Sequence, residues 1–370
     1  MYFIHGPGST RKDVRVVKSF LDLGMLSFIC GKPGKENHFL HSAVRTKSYT
    51  IIHTLLVCGI PSSIQDKYGK TPLSIAVEVG NVGAVKALLE SIHVDINAKD
   101  MQQRTALAIA VEARNLDVLN ILLGSTEVDV NARDMWDRTP LWLAAWKGYT
   151  DVVTILLYRE DIEVNSEQTN KDCNQHETPL AIACCCGHVS VVQKLLTDSR
   201  VNVNTRNTKG LTPVHSSVKQ HFSEIRRLLL AHPSIDVLST CDTGHTSLHT
   251  AAEFGNLVAI TQLLCHPQVV DPNITTADGW TPLGMATANG QEEVVEALGK
   301  DKRVDINAVA GEGKTAIVLA AERMWFQGMI ALLRVGGVDV YKQGREGGKS
   351  FMEIFNVQCW AIRKLYQTKL

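Results

Sequence analysis

The sequence predicts an all-α fold, an α-solenoid of about nine to ten stacked short helical hairpins, and three observations predict it. Threonine recurs at Thr71, Thr105, Thr139, Thr178, Thr212, Thr246, Thr281 and Thr315, in steps of 34, 34, 39, 34, 34, 35 and 34 residues. Each threonine opens a similar apolar run, of which Thr139-Pro140-Leu141-Trp142-Leu143-Ala144-Ala145-Trp146-Lys147-Gly148 is the clearest. Eighteen residues after each comes Leu89, Leu123, Leu157, Leu196, Leu230, Leu264, Gly299 or Leu333. A period of about 33 residues marks an array of small units rather than one large core.

Each element of the unit has a local reason. Thr139 suits the N-cap, and Pro140 suits the first helical position, where its missing N–H costs nothing. Leu141, Ala144 and Ala145 give this first helix a narrow face of small residues, so that a neighbouring helix can come close. Gly148 stops the helix in the left-handed conformation that glycine tolerates. Val152, Val153, Ile155, Leu156 and Leu157 then supply the apolar stripe of a second helix. Such a hairpin is too small to bury its own core and needs neighbours on both sides.

Variations on the unit carry expectations of their own. Proline is replaced by Ala106, Ser247 and Ala316, which costs a helix start little. The stop glycine is replaced by Arg114, His221 and Met324, where a left-handed conformation costs about 1 kcal/mol. Those hairpins are therefore expected to be distorted or looser. Asparagine closes a V-D-[VI]-N phrase, or a variant of it, at Asn97, Asn131, Asn165, Asn204, Asn273 and Asn307. Between Asn165 and Thr178 stand 13 residues (178 − 165) against the usual 8 (139 − 131), so the polar stretch 166–177 reads as a longer loop. An earlier copy begins at His38-Phe39-Leu40-His41-Ser42-Ala43, and a last one near Ser350.

Three phrases carry a family resemblance. Thr71-Pro72-Leu73-Ser74-Ile75-Ala76, the small-residue run from Ala183 to Gly187-His188, and the turn Asp66-Lys67-Tyr68-Gly69 resemble the ankyrin repeat over residues 38 to 370. The resemblance implies stacked ankyrin repeats, each of two antiparallel helices, with short β-hairpin fingers between them as the only β structure. It also implies a curved, right-handed superhelix whose concave face binds other proteins. The expected organisation is an N-terminal partial repeat or lead-in at 1–37, the array at 38–349 and a C-terminal capping repeat at 350–370. In the lead-in, Val16-Val17-Lys18-Ser19-Phe20-Leu21 looks like a second helix whose partner is missing.

Composition narrows the function classes. The 38 basic and 38 acidic residues balance, which argues against nucleic acid or an anionic membrane as the main partner. No apolar run approaches the ~20 residues of a membrane span. Nine irregularly spaced cysteines, without a signal-like start, read as a reducing intracellular compartment, cytoplasmic or nuclear. The sequon Asn273-Ile274-Thr275 is accordingly expected to be unused.

Chemical motifs dissolve on inspection. Gly313-Lys314-Thr315 ends like a phosphate-binding loop, but the required earlier glycine is Ala308, and no strand precedes it. Gly347-Gly348-Lys349-Ser350 fails alike, with Gln343 at that position. Three consecutive thiols, Cys184, Cys185 and Cys186, diverge by about 100° each on a helix and cannot share one metal ion. His41, His215 and His249 fill a slot in which the resemblance implies hydrogen bonds between neighbouring repeats. No catalytic, cofactor or metal set can be assembled.

Aromatic residues exceed what the repeat needs. Trp136, Trp142, Trp146 and Tyr149 fall in one repeat, with Arg138 at its finger base and Arg104 in the same slot one repeat earlier. Trp280 repeats that slot further on, and Phe254 holds a later first-helix position. Tryptophan and arginine dominate many binding interfaces, so these eight residues are candidate partner contacts; stacking of the tryptophans between repeats is the competing reading. The function expected is a non-enzymatic, monomeric scaffold that binds a partner protein on its concave face, through finger tips and first helices. The alternative is the regulatory or substrate-capturing portion of a larger enzyme such as a signalling ATPase.

Overall fold

A computed structural model describes residues 39–45, 49–57, 60–91, 94–170, 175–344 and 348–356. The lead-in expected at 1–37, with its helix at 16–21, and residues 357–370 of the expected cap lie outside the described residues. The chain divides into two compact units, Met1–Asn174 and Gln175–Leu370.

Unit 1 is built from helical hairpins α1 (Phe39–Arg45) with α2 (Tyr49–Val57), α3 (Pro72–Glu78) with α4 (Val82–Leu89), α5 (Ala106–Glu112) with α6 (Leu116–Leu123) and α7 (Pro140–Lys147) with α8 (Thr150–Leu157). Strand β1 (Gln168–Asn170) follows them. The first helices α1, α3, α5 and α7 pack in sequence as one layer, and the second helices α2, α4, α6 and α8 as another.

Unit 2 opens with strand β2 (Gln175–Glu177) and repeats the scheme. Its hairpins are α9 (Pro179–Cys186) with α10 (Val189–Leu196), α11 (Pro213–Lys219) with α12 (Ser223–Leu230), α13 (Ser247–Glu253) with α14 (Leu257–Leu264), α15 (Pro282–Ala288) with α16 (Glu292–Lys300) and α17 (Ala316–Glu322) with α18 (Phe326–Val335). Again first helices pack on first helices and second on second. The core lies between the layers, with Leu180, Ala183, Val192 and Leu195 of one repeat essentially inaccessible. At the end, Ser350 accepts from the Glu353 N–H, and Glu353 accepts from the Ser350 N–H at 2.9 Å, a reciprocal cap on the helical turn that follows.

The threonine caps are real. Thr71, Thr105, Thr139, Thr178, Thr246 and Thr281 each accept from the backbone N–H three residues on, at 3.0–3.5 Å. Helices with alanine or serine at the proline position start in the same register.

The expected distortion at the glycine-free stops does not occur. Arg114, His221 and Met324 take φ of 50°, 61° and 54°, the same left-handed turn as Gly148 at 75°. Their N–H groups make the same bonds to the carbonyl three residues back, as at Arg114 to Val111 (3.0 Å). The backbone bonds of the turn outweigh a steric cost of about 1 kcal/mol.

Most fingers are tight turns rather than paired strands. Asp100 Oδ1 accepts the Gln102 and Arg104 N–H groups at 2.9 Å, and its own N–H closes the turn on the Arg104 carbonyl at 3.0 Å. Asp66 and Asp134 act alike. The finger β3 (Val309–Ala310) to β4 (Lys314–Thr315) is an antiparallel pair, in the register Val309 to Thr315.

Asparagine side chains tie one repeat to the next. Asn131 donates to the Asp161 carbonyl and accepts from the Glu163 N–H, both at 2.8 Å. Asn97, Asn204, Asn273 and Asn307 make the same pair of bonds, 30 and 32 residues ahead. The Asn273 amide is thereby spent on the Arg303 carbonyl, at 2.7 Å. The repeat after Thr212 has Leu238 in this place, and Gln268 reaches back instead. It accepts from the Val237 N–H at 2.9 Å and donates to the Ile235 carbonyl at 2.8 Å.

Histidines bridge repeats too, as expected. His215 Nδ1 accepts from the Thr212 N–H at 3.3 Å, so its Nε2 carries the proton and donates to the His245 carbonyl at 3.1 Å. His249 repeats this with Thr246 and the Trp280 carbonyl. Burial pushes both pKa values down from 6.5 to about 4.

Two outcomes follow from these bonds. Asn131→Ala should destabilise unit 1 by about 1–2 kcal/mol, at ~1 kcal/mol or less per lost bond; hydrogen exchange at the Glu163 amide should accelerate and the urea midpoint should fall. For the histidines, the unfolded chain takes up protons below about pH 6.5 that the folded chain refuses until about pH 4. Stability is thus complete above pH 6.5 and declines as pH falls through that window. Urea midpoints between pH 7.5 and 4.5 should show the decline, and His215→Gln/His249→Gln should flatten it.

Candidate protein-binding site

A recurring clasp sets the site. The residue before the repeat threonine meets the residue seven after it: Lys70 with Glu78 (2.8 Å), Arg104 with Glu112 (2.7 Å), His245 with Glu253 (3.9 Å) and Lys314 with Glu322 (2.6 Å). In these four repeats it fastens the finger base to the end of the first helix. The repeats opened by Thr139, Thr178, Thr212 and Thr281 carry other residues there, Trp146, Cys185, Lys219 and Ala288, and in the first of these Arg138 lies over the Trp146 ring at 5.8 Å.

Around this exchange an aromatic and cationic cluster assembles. Arg138 lies against the Trp136 ring at 4.4 Å, and Lys147 over Trp146 at 4.5 Å. Trp146 stacks on Trp142, with centroids 6.0 Å apart and planes 26° from parallel. Trp136 and Trp146 are 41% and 37% exposed, whereas Trp142 is 6% exposed. Trp142 is thus the floor under Trp146.

The two arginines are engaged within unit 1. Arg138 bonds Asp134 through Nε (2.7 Å) and Nη2 (2.6 Å), and Nη2 reaches Glu112 of the preceding repeat at 3.5 Å. Arg104 bonds Asp100 and the same Glu112. Burial works against the Arg104 charge, and those bonds more than offset it, so its pKa is raised. With side chains 12% and 18% exposed, these guanidiniums are spent on their own unit. Arg138 also braces the Trp136 and Trp146 rings.

The other candidates have separate settings. Tyr149 holds the N-cap of α8, where Arg114 lies over its ring at 5.2 Å and bonds Asp151 at 2.9 Å. That pair belongs to the hairpin turn and not to the finger. In unit 2, Phe254 is exposed under Lys219 at 5.7 Å. Trp280 packs over Gly311 of the next finger so closely that a Cβ there would collide with the ring, which makes it a packing residue.

Sequence reasoning missed the tips beside Trp136. Tyr68, Met101 and Met135 are exposed there, and the Met101 and Met135 N–H groups donate to the Tyr68 and Gln102 carbonyls of the preceding tips at 3.0 and 2.9 Å. The signal was available in their fixed positions, three and four residues before the threonines. Together with Trp136 and Trp146 they form an apolar ridge on unit 1.

Reactive chemistry finds no footing in what is described. Lys314 Nζ is held by both Glu312 (2.9 Å) and Glu322 (2.6 Å), where a nucleotide phosphate would need it. Burial pushes the Cys185 thiol up to about 12, with the nearby Glu177 carboxylate adding to the effect. Among the described residues, no group of three or more His, Cys, Asp or Glu side chains could hold a metal ion. None of the described helices is long and apolar enough to cross a membrane.

Comparison with known proteins agrees with the architecture. A family model described as "Ankyrin repeats (3 copies)" matches residues 40–134, 164–241, 197–275 and 248–344, and the single "Ankyrin repeat" matches 136–169. SMC5-SMC6 complex localization factor protein 1 of Homo sapiens is 36% identical over 109 residues, 30% of this chain and 10% of that protein. Ankyrin repeat protein nuc-2 of Neurospora crassa is 29% identical over 160 residues, 43% of this chain and 14% of that one. The chain thus spans about a tenth of the length of these curated relatives. The crystal structure of the ankyrin repeat domain of Bcl-3 superposes with a TM-score of 0.56 at 25% identity, covering 61% of this chain and 96% of that domain. With caps, fingers, inter-repeat bonds and family matches from residue 40 to 344 in agreement, this chain belongs to the ankyrin repeat family.

Proposed function

We propose that the chain is a non-enzymatic protein-binding module, and that the ridge on unit 1 is where a partner protein docks. The observation that carries this reading is the replacement of a clasp glutamate by Trp146. It leaves two half-exposed tryptophans held by an arginine that is itself fully engaged. Preordered aromatic anchors lose little conformational freedom on binding, and methionines beside them adapt to a partner's shape. The neutral overall charge favours a protein over a nucleic acid, and an intracellular location, cytoplasmic or nuclear, fits the cysteine content. A second reading, the regulatory or substrate-capturing part of a larger enzyme, draws support from the tenth of their length that the chain spans in its relatives; the ridge would serve the same purpose there.

The test is capture of partners from a cell extract on the full chain, followed by titration of the purified partner against Trp136→Ala/Trp146→Ala. Trp142 is left intact because it is buried. Circular dichroism melting should match the parent within a few degrees, and affinity should fall by more than about 30-fold, the loss of roughly 2 kcal/mol that marks a hot spot. Unchanged affinity in the folded variant would place the interface elsewhere.

A further inference from the structure

One buried cation in unit 2 has no anion. Arg226, in α12, stands fourteen residues after Thr212, in the slot that Val192 and Ile260 fill in the adjoining repeats (192 − 178 and 260 − 246). Its side chain is wholly buried. Nη1 donates to the Ser217 carbonyl at 3.3 Å, Nε donates to Gln262 Oε1 at 2.5 Å, and Nη2 has no hydrogen-bond partner. Among the described residues, no carboxylate pairs with it. Burial lowers its pKa to about 10, so it is still a cation at neutral pH.

The chain itself shows what this edge of a guanidinium takes. Arg159 grips both oxygens of Asp161 through Nε (2.9 Å) and Nη2 (2.7 Å). Arg200 grips Asp198, Arg303 grips Asp301 and Arg227 grips Glu224 through the same two nitrogens. At Arg226 a single neutral amide oxygen occupies Nε, and Nη2 is left over. Gln262, which supplies that oxygen, is also a wall of a groove of about 450 Å³ between α12 and α14, shared with Arg227, Leu230, Ala231, Thr261 and Cys265.

We propose that this groove is a docking site for an acidic side chain carried on an apolar segment of a partner protein, whose carboxylate displaces the Gln262 amide and takes the Nε–Nη2 edge of Arg226. The desolvation of the guanidinium is already borne by the free protein, so an incoming carboxylate gains two charge-assisted bonds without paying it again. The apolar walls accept flanking aliphatic side chains. The Arg227 guanidinium on the wall is already paired with Glu224, so the buried cation sets the specificity: glutamate or aspartate is admitted, and glutamine, which offers one oxygen and no charge, only replaces what is there.

The probe is acetyl-Leu-Glu-Leu-amide, titrated into the full ¹⁵N-labelled chain while the arginine Nε–H resonances are followed. The Arg226 signal should shift saturably, and acetyl-Leu-Gln-Leu-amide should bind at least about tenfold more weakly. Arg226→Met, whose side chain Met329 places in the equivalent slot of α18 (329 − 315), should lose the response. Gln262→Glu supplies the carboxylate from within, so it should raise the melting temperature and abolish peptide binding. An unmoved Arg226 resonance, equal affinity for the glutamine peptide, or a Gln262→Glu chain that melts lower than the parent would each overturn the proposal.

Discussion

The structure depends on one polar bond pattern that crosses from repeat to repeat. Seven- to ten-residue helices cannot bury a core alone, and apolar layers by themselves leave the sliding of one hairpin along the next poorly fixed. The asparagine that closes each V-D-[VI]-N phrase fixes it, because its amide satisfies one carbonyl and one N–H at set positions ahead. A bond of this kind tolerates no slip, since an unsatisfied backbone group costs about as much as the bond itself gains. Where the asparagine is missing, at Leu238, the next repeat supplies Gln268 with the same donor and acceptor roles reversed in direction. The function of the bond is kept although the residue that makes it has changed sides.

That constraint explains what was legible in the sequence. Threonine caps, helix stops and the asparagine phrase are local, and each demands a particular side chain at a particular step, so spacing alone placed them. Backbone geometry then overrode residue preference at Arg114, His221 and Met324, which adopt the glycine turn because the bonds closing it come from the backbone. The clasp was harder to read. Its partners lie eight residues apart and vary among Lys, Arg and His on one side, so no fixed phrase announces it. Trp142 and Trp146, four residues apart, share a helix face in any projection; only the structure shows that Trp146 is stacked above and Trp142 beneath.

Gln268, Met101 and Arg226 escaped for a related reason. Each is meaningful only against the residue that its own repeat would otherwise carry, and their chemistry appears when equivalent positions are compared across the array. Arg226 is the sharpest instance. Read along α12 it is one of two adjacent arginines on a basic helix, and Arg227 beside it is an ordinary surface ion pair with Glu224. Read across the repeats it is a charge in an aliphatic slot.

A repeat array makes this comparison unusually informative, because every unit is a control for the others. Positions that hold the same chemistry in most repeats, such as the caps and the asparagine bridge, are accounted for by the stack. Positions that break the pattern must be maintained against a cost in stability, as a buried guanidinium without a carboxylate is, or must give up a bond that other repeats make, as Trp146 gives up the clasp salt bridge kept in four repeats. In Trp146 the sacrificed ion pair was solvent-facing and worth little, about 1 kcal/mol or less, and the exchange produced a rigid aromatic surface. In Arg226 the cost is larger, and among the described residues two neutral oxygens but no carboxylate offset it. An interior residue that its own fold leaves unsatisfied points outward, to a molecule that completes it.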